Sequence, residues 1–142
     1  MCRQTPSNRQ KGPNPSSDYR WVFAAHTGHA YICASGIGWS IMLVVHATFP
    51  IDPDQREEAV DHMKTLAEQS REKDGIIDYR VAADVDDENL FRFFEQYDDE
   101  AAFGAHAESK HFAEFAEVLP ELLAGEPEVT RFDVEAATDV EL

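Results

Sequence analysis

An α+β fold with one four-stranded antiparallel sheet is predicted for residues 42–142 by three observations. Four short runs are β-branched or aromatic with strand-like spacing, and helical periodicity fills the stretches between them. Asp-Pro, Asp-Gly and Gly-Glu-Pro sequences mark the borders. The resulting order, β-α-β-β-α-α-β, is that of a split βαβ unit with its helices packed on one sheet face.

Leu43–Phe49 (LVVHATF) reads as the first strand. Asp52-Pro53-Asp54-Gln55 reads as a helix start, with Asp52 as cap, Pro53 in the first turn and Gln55 as capping-box partner. Ala59, Val60, Met63, Leu66 and Ala67 then form one apolar stripe, and Asp74-Gly75 ends the helix. Ile76–Ala83 is the second strand and Leu90–Tyr97 the third. The acidic run Asp84–Asn89 between them reads as a solvated hairpin tip, because it lacks the spacing and glycine of a calcium loop. Asp98 is expected to cap a short helix, and Ser109 a second whose buried stripe is Phe112, Phe115, Ala116, Leu119 and Leu122. Gly125 and Pro127 stop it, and Glu128–Val134 is the last strand. Several strands look apolar on both faces, so a second copy is expected to cover the face that the helices leave bare.

Charge is unevenly distributed along the 142 residues, whose net charge is −16. Residues 1–41 carry Arg3, Arg9, Lys11 and Arg20 against Asp18 alone, a net of +3. The remainder holds 8 basic and 27 acidic residues, a net of −19, with only three lysines. Such a surface repels phosphate, which argues against nucleic acid and anionic membranes as partners. Acid-rich, lysine-poor surfaces resemble those of salt-adapted, halophilic cytoplasmic proteins. Cys2 and Cys33 both precede residue 42, so a disulfide or thiolate metal site within 42–142 is excluded. Residues 1–20 are too polar to order themselves, and 21–41 form an apolar run interrupted by His26, Thr27, Gly28 and His29. Three readings of 1–41 stay open: a disordered extension, an interrupted export or anchor signal, and an over-extended gene start.

Phe94-Glu95-Gln96-Tyr97-Asp98-Asp99-Glu100-Ala101, then His106, then Ser109-Lys110-His111-Phe112 form the most specific pattern in the chain. It resembles the central signature of the antibiotic biosynthesis monooxygenase (ABM) superfamily: an aromatic strand ending in Glu-x-Trp/Tyr, a short helix ending in His, and a second His-aromatic pair. Gly75 before a strand containing Tyr79 fits the same family. The resemblance implies a ferredoxin-like βαββααβ domain that dimerises into an α+β barrel around enclosed pockets. It covers quinol monooxygenases, polyketide-tailoring oxygenases, autoinducer-processing proteins and haem-degrading enzymes. The last are disfavoured, because this chain has His106 where they carry a tryptophan and Ala116 where their haem-ligating histidine falls.

His106 is the best candidate for a catalytic base, since a neutral imidazole can take a proton from a phenol-like hydroxyl. The resemblance to quinol monooxygenases implies that the resulting anion gives an electron to dioxygen with no cofactor. His46 on the first strand is a second catalytic candidate, with a hydrogen-bonded interface residue as the plainer reading. His111 lies five residues after His106, about 140° away on an unbroken helix; a break near Glu108-Ser109 brings the two closer. As a metal pair they are weak, and no metal is expected. Tyr79, Phe91, Phe93, Tyr97 and His111 are expected to line a substrate pocket, with ordinary core packing as the alternative for each aromatic. Glu95, a carboxylate among aromatics, must find a partner. It is expected to orient a histidine or bond backbone, with Arg80 and Arg92 as candidate ion partners. No glycine-rich phosphate loop or nucleophile elbow occurs, so no nucleotide or flavin is indicated. Three functions follow: a cofactor-free monooxygenase using dioxygen on a quinol or similar hydroxylated aromatic, an isomerase or processing enzyme for a small carbonyl metabolite, and a non-catalytic dimeric ligand-binding stress protein.

Overall fold

The computed structural model describes residues 41–142; the expectations for residues 1–40 lie outside them. Strand β1 spans Met42–Pro50, helix α1 Arg56–Arg71, β2 Ile76–Ala83, β3 Leu90–Tyr97, α2 Glu100–Ala107, α3 Lys110–Leu122 and β4 Glu128–Val134. The element order is the one expected from the sequence. The strands form one antiparallel sheet in the order β2-β3-β1-β4, a ferredoxin-like α+β fold.

Strand alternation sorts the side chains. Leu43, Val45, Ala47 and Phe49 of β1 and Phe91, Phe93, Glu95 and Tyr97 of β3 are buried on the helix-covered face. Ala59, Met63, Leu66 and Ala67 of α1 and Phe115, Leu119 and Leu122 of α3 pack onto that face as the main core. A smaller cluster, Leu43, Val45 and Tyr97, lies beneath Ala102 and Phe103 of α2. Among the described residues, no helix is long and apolar enough to cross a membrane.

Two capping expectations are corrected. Asp52 caps as foreseen, accepting from Asp54 N at 2.9 Å, but through a 3-10 turn, Pro53–Gln55, that precedes α1. The amide of Asp52 goes to the Leu122 carbonyl, so no capping box forms with Gln55. Asp99 rather than Asp98 caps α2, its carboxylate accepting from Ala102 N at 2.8 Å. The Asp98 amide donates to the Gly75 carbonyl at 2.8 Å, which ties the α1–β2 turn to the start of α2. Gly75 has φ +84°, and a Cβ there would stand 2.7 Å from Ala102 Cβ. Gly75→Ala should therefore cost about 2 kcal/mol or more, from left-handed strain plus displacement of α2. Urea denaturation of both proteins measures it; a loss below about 0.5 kcal/mol would refute the account.

The second sheet face is less apolar than expected. Register and alternation place Met42, Val44, Phe94 and Phe132 there as a central stripe, with Phe94 41% and Phe132 49% exposed. His46, Thr48, Asp78, Arg80, Arg92, Gln96, Glu128 and Thr130 make up the polar remainder.

Candidate functional site

Helix α2 ends at Ala107 and α3 begins at Lys110, and the break between them builds the site. Ser109 N and Ser109 Oγ both donate to the His106 carbonyl, at 3.0 and 2.6 Å. The same hydroxyl caps α3 by accepting from Phe112 N. This turn swings His111 back toward His106, leaving their ring centroids 5.6 Å apart. The closer approach foreseen for a broken helix is thus realised.

The His106 side chain enters an aromatic box. Its ring centroid is 5.3 Å from Tyr79, 5.6 Å from Tyr97 and 5.2 Å from Phe112. It is 4% exposed, and neither ring nitrogen has a hydrogen-bond partner. Burial, and secondarily the charge of His111, push its pKa down to about 4. The imidazole is therefore neutral at neutral pH, with an unused lone pair and an unused N–H.

Beside it stands a second buried group. Tyr97 donates its hydroxyl to Glu95 Oε2 at 2.6 Å, and Tyr79, paired with Glu95 across β2 and β3, faces the same carboxylate. Burial raises the Glu95 carboxyl above its usual range, while the two phenols pull it back. Both tyrosines are held far above the ordinary phenol range, first by burial and then by the adjacent carboxylate. They stay protonated and act as donors. Arg80 and Arg92 are not the partners of Glu95, contrary to expectation. They lie on the opposite sheet face, where Arg80 pairs with Asp78 at 2.8 Å and Arg92 with Asp84 at 2.6 Å.

The structure thus gathers Tyr79, Glu95, Tyr97, His106 and His111; of the other expected residues, Phe93 meets only Tyr79 among these rings, at 6.2 Å, and His46 is on the other face. His46 lies on the uncovered sheet face with Val44 and Thr48, across the sheet from His106. Phe91 and Phe93 belong to the main core; Phe93 packs on Phe49 at 4.8 Å, and Phe91 lies under the Arg56 guanidinium at 5.5 Å. Two aromatic neighbours carry more than the sequence reading gave them. Phe112 touches His106, and Phe103 stacks edge-on against Tyr97 at 5.4 Å. Phe103 stands three residues before His106, a spacing that places both on one helix face and was a usable signal. Arg131 of β4 covers the outer side of Phe103 at 5.5 Å and binds both carboxylate oxygens of Glu100, fastening α2 to the sheet.

Two surface depressions flank these elements. One, of about 260 Å³, runs between α1 and β2 over Val60, Met63, Val81 and Phe91. The other, of about 300 Å³, is polar and is lined by Gln69, Glu72, Lys73, Lys110, His111 and Glu114. Glu95, Tyr97 and His106 line neither, and His106 is almost fully buried, so a ligand reaches His106 only if its surroundings yield. Among the described residues, no three His, Cys, Asp or Glu side chains form a metal-binding group.

The buried imidazole makes stability depend on pH with a definite sign. Below an unfolded pKa of roughly 6.5 the unfolded chain takes up a proton that folded His106 refuses until about pH 4. Stability is thus fully present above that unfolded value and is lost as pH falls through this window, by about 3 kcal/mol in all. Glu95 has the opposite sign, its raised pKa favouring the folded state on the acid side. Comparing wild type with His106→Phe isolates the histidine. Urea denaturation at pH 7 and pH 4.5 should show wild type losing roughly 2–3 kcal/mol more than the variant. Equal losses would mean that His106 is not buried neutral.

Comparison with known proteins places this arrangement in a family. The profile described as "Antibiotic biosynthesis monooxygenase" matches residues 42–118, and the chain belongs to that family. It is 33% identical over 93 residues to the Bacillus subtilis protein named "Putative monooxygenase YcnE", spanning 66% of this chain and 98% of that one. It is 34% identical over 92 residues to an uncharacterised Synechocystis sp. protein, spanning 65% of this chain and 63% of the relative's length. A crystal structure from Pseudomonas aeruginosa superimposes with a TM-score of 0.63 at 27% identity, covering 68% of this chain and 97% of that one.

Proposed function

We propose that the chain is a monooxygenase that oxidises a quinol or a similar hydroxylated aromatic with dioxygen and without a bound cofactor. The observation that carries this reading is His106: a buried, neutral imidazole with two unpartnered nitrogens, walled by Tyr79, Tyr97 and Phe112. An apolar, aromatic surround suits a planar aromatic ring. A free imidazole nitrogen suits its hydroxyl.

His106 takes the hydroxyl proton, and the oxygen keeps the electron pair. The electron-rich anion passes one electron to dioxygen, and the resulting radical pair joins at a ring carbon as a peroxide, which takes up a proton. Loss of water from that hydroperoxide leaves one oxygen atom on the ring, so a quinol becomes a hydroxyquinone. The substrate supplies every electron that the dioxygen consumes. Tyr97 and Tyr79, held as donors around Glu95, fix the wall against which the ring lies. His46 acts elsewhere in this reading. It sits beside the apolar stripe of Val44, Phe94 and Phe132, the surface that a second copy covers in a homodimer. Size measurement in molar salt checks the dimer, with a stable monomer the contrary result.

The functional test is oxygen uptake by the full chain with reduced menadione in high salt, using ¹⁸O-labelled dioxygen. One uptake per quinol, with one labelled atom in the product, is the expected result. A ligand-induced thermal shift without uptake would instead favour a binding protein. Proton exchange on a carbonyl substrate under anaerobic conditions would favour an isomerase.

A further inference from the structure

The geometry points to His111 as the outlet through which the proton taken up by His106 reaches solvent. The inference rests on the reading of His106 as a base. Such a base is sealed from water: it is 4% exposed, and no hydrogen bond leaves either nitrogen. Of the side chains around it, Phe112 carries no titratable proton, Tyr97 commits its hydroxyl to Glu95, and Tyr79 is itself buried, with a phenol that burial keeps protonated. Among the described ring neighbours, only His111 is both titratable and half-exposed, and it lines the polar depression between α1 and α3.

The Ser109 hydroxyl fixes the chemistry of His111. It has one hydrogen, and it donates that hydrogen to the His106 carbonyl at 2.6 Å. Toward His111 Nε2, 3.2 Å away, it can therefore only accept. Neutral His111 thus carries its proton on Nε2 and keeps Nδ1 as an open acceptor. The ring centroids are 5.6 Å apart with no direct bond between them, so the route closes when the movement that admits substrate to His106 also admits one water between the rings. The proton moves from substrate oxygen to His106, then to His111 Nδ1, then to water in the depression. No electron moves with it. The two imidazoles cannot comfortably be charged together, so His106 is cleared before the next turnover. Glu72, Lys73, Lys110 and Glu114 surround His111, and Tyr79, Glu95 and Tyr97 face His106; these groups set the pH at which each imidazole exchanges.

The test is His111→Gln in the full chain, since the glutamine amide can still donate to Ser109 but cannot carry a proton onward. With reduced menadione, kcat should fall about 10²-fold at pH 7 with KM little changed. Added imidazole should restore part of it, and the rate should become dependent on buffer concentration. An unchanged kcat, or a loss that neither imidazole nor buffer restores, overturns the proposal. A second readout needs no turnover. NMR of the His106 ring during an acid titration should show one averaged, moving signal in wild type and two slowly exchanging signals in His111→Gln. Fast exchange in both overturns the relay. If wild type consumes no oxygen, the functional reading falls, and the exchange regime alone decides the relay.

Discussion

Replacing His106 with alanine should lower oxygen uptake with reduced menadione by about 10²–10⁴-fold, the range a positioned general base contributes. That corresponds to about 3–5 kcal/mol in the barrier to reaction. Because the deprotonated substrate exists only after proton removal, the loss should fall on kcat, with KM moving less. The truncation opens a space bordered by Tyr79, Tyr97 and Phe112, into which free imidazole fits. Partial recovery with added imidazole separates a lost base from a collapsed site. His106→Phe fills the same space and should be equally slow but refractory to imidazole. Wild-type rates in either variant would remove His106 from the reaction altogether.

The largest loss of stability should come from Phe93→Ala, about 3–5 kcal/mol. Phe93 is 1% exposed and meets Phe49 at 4.8 Å, Phe115 at 6.0 Å and Tyr79 at 6.2 Å. These rings come from strands on either side and from α3, so no single element can close the gap. For a domain of about 100 residues the melting temperature should drop by about 15–30 °C. Phe94→Ala is the matched control, since its side chain is on the other sheet face and is 41% exposed. It should cost the subunit less than about 1 kcal/mol and act mainly on self-association. Similar losses for the two variants, by thermal or urea denaturation, would contradict the strand alternation on which the site is built.

That alternation explains how much could be read in advance. The element order, the Ser109 cap and the α1 stripe follow from local rules of capping and periodicity. So does the shared face of Phe91, Phe93, Glu95 and Tyr97, and all four are buried together. What failed was non-local. Asp98 and Asp99 are equivalent as capping residues by local rules, and Asp98 is instead held at its amide by the Gly75 carbonyl, more than twenty residues away. Glu95 was offered arginines that period-two alternation already put on the other side: Arg92 is three residues away, an odd step. Its true partner, Tyr97, is two residues along the same strand and was available to the same rule. His46 was grouped with His106 although nothing local relates them; the sheet lies between. The proximity of His106 and His111 depended on a helix break that the Glu108-Ser109 pair could signal but not orient.

The same partition turns the two most separated histidines into independent reporters. His46 looks out on the uncovered surface and His106 into the aromatic box, with a layer of peptide backbone between. A magnetic-resonance signal from the first ring should follow dilution and association, whereas the second should follow ligand. Events on the two faces of the sheet can thus be watched simultaneously in one sample, without a label attached to either.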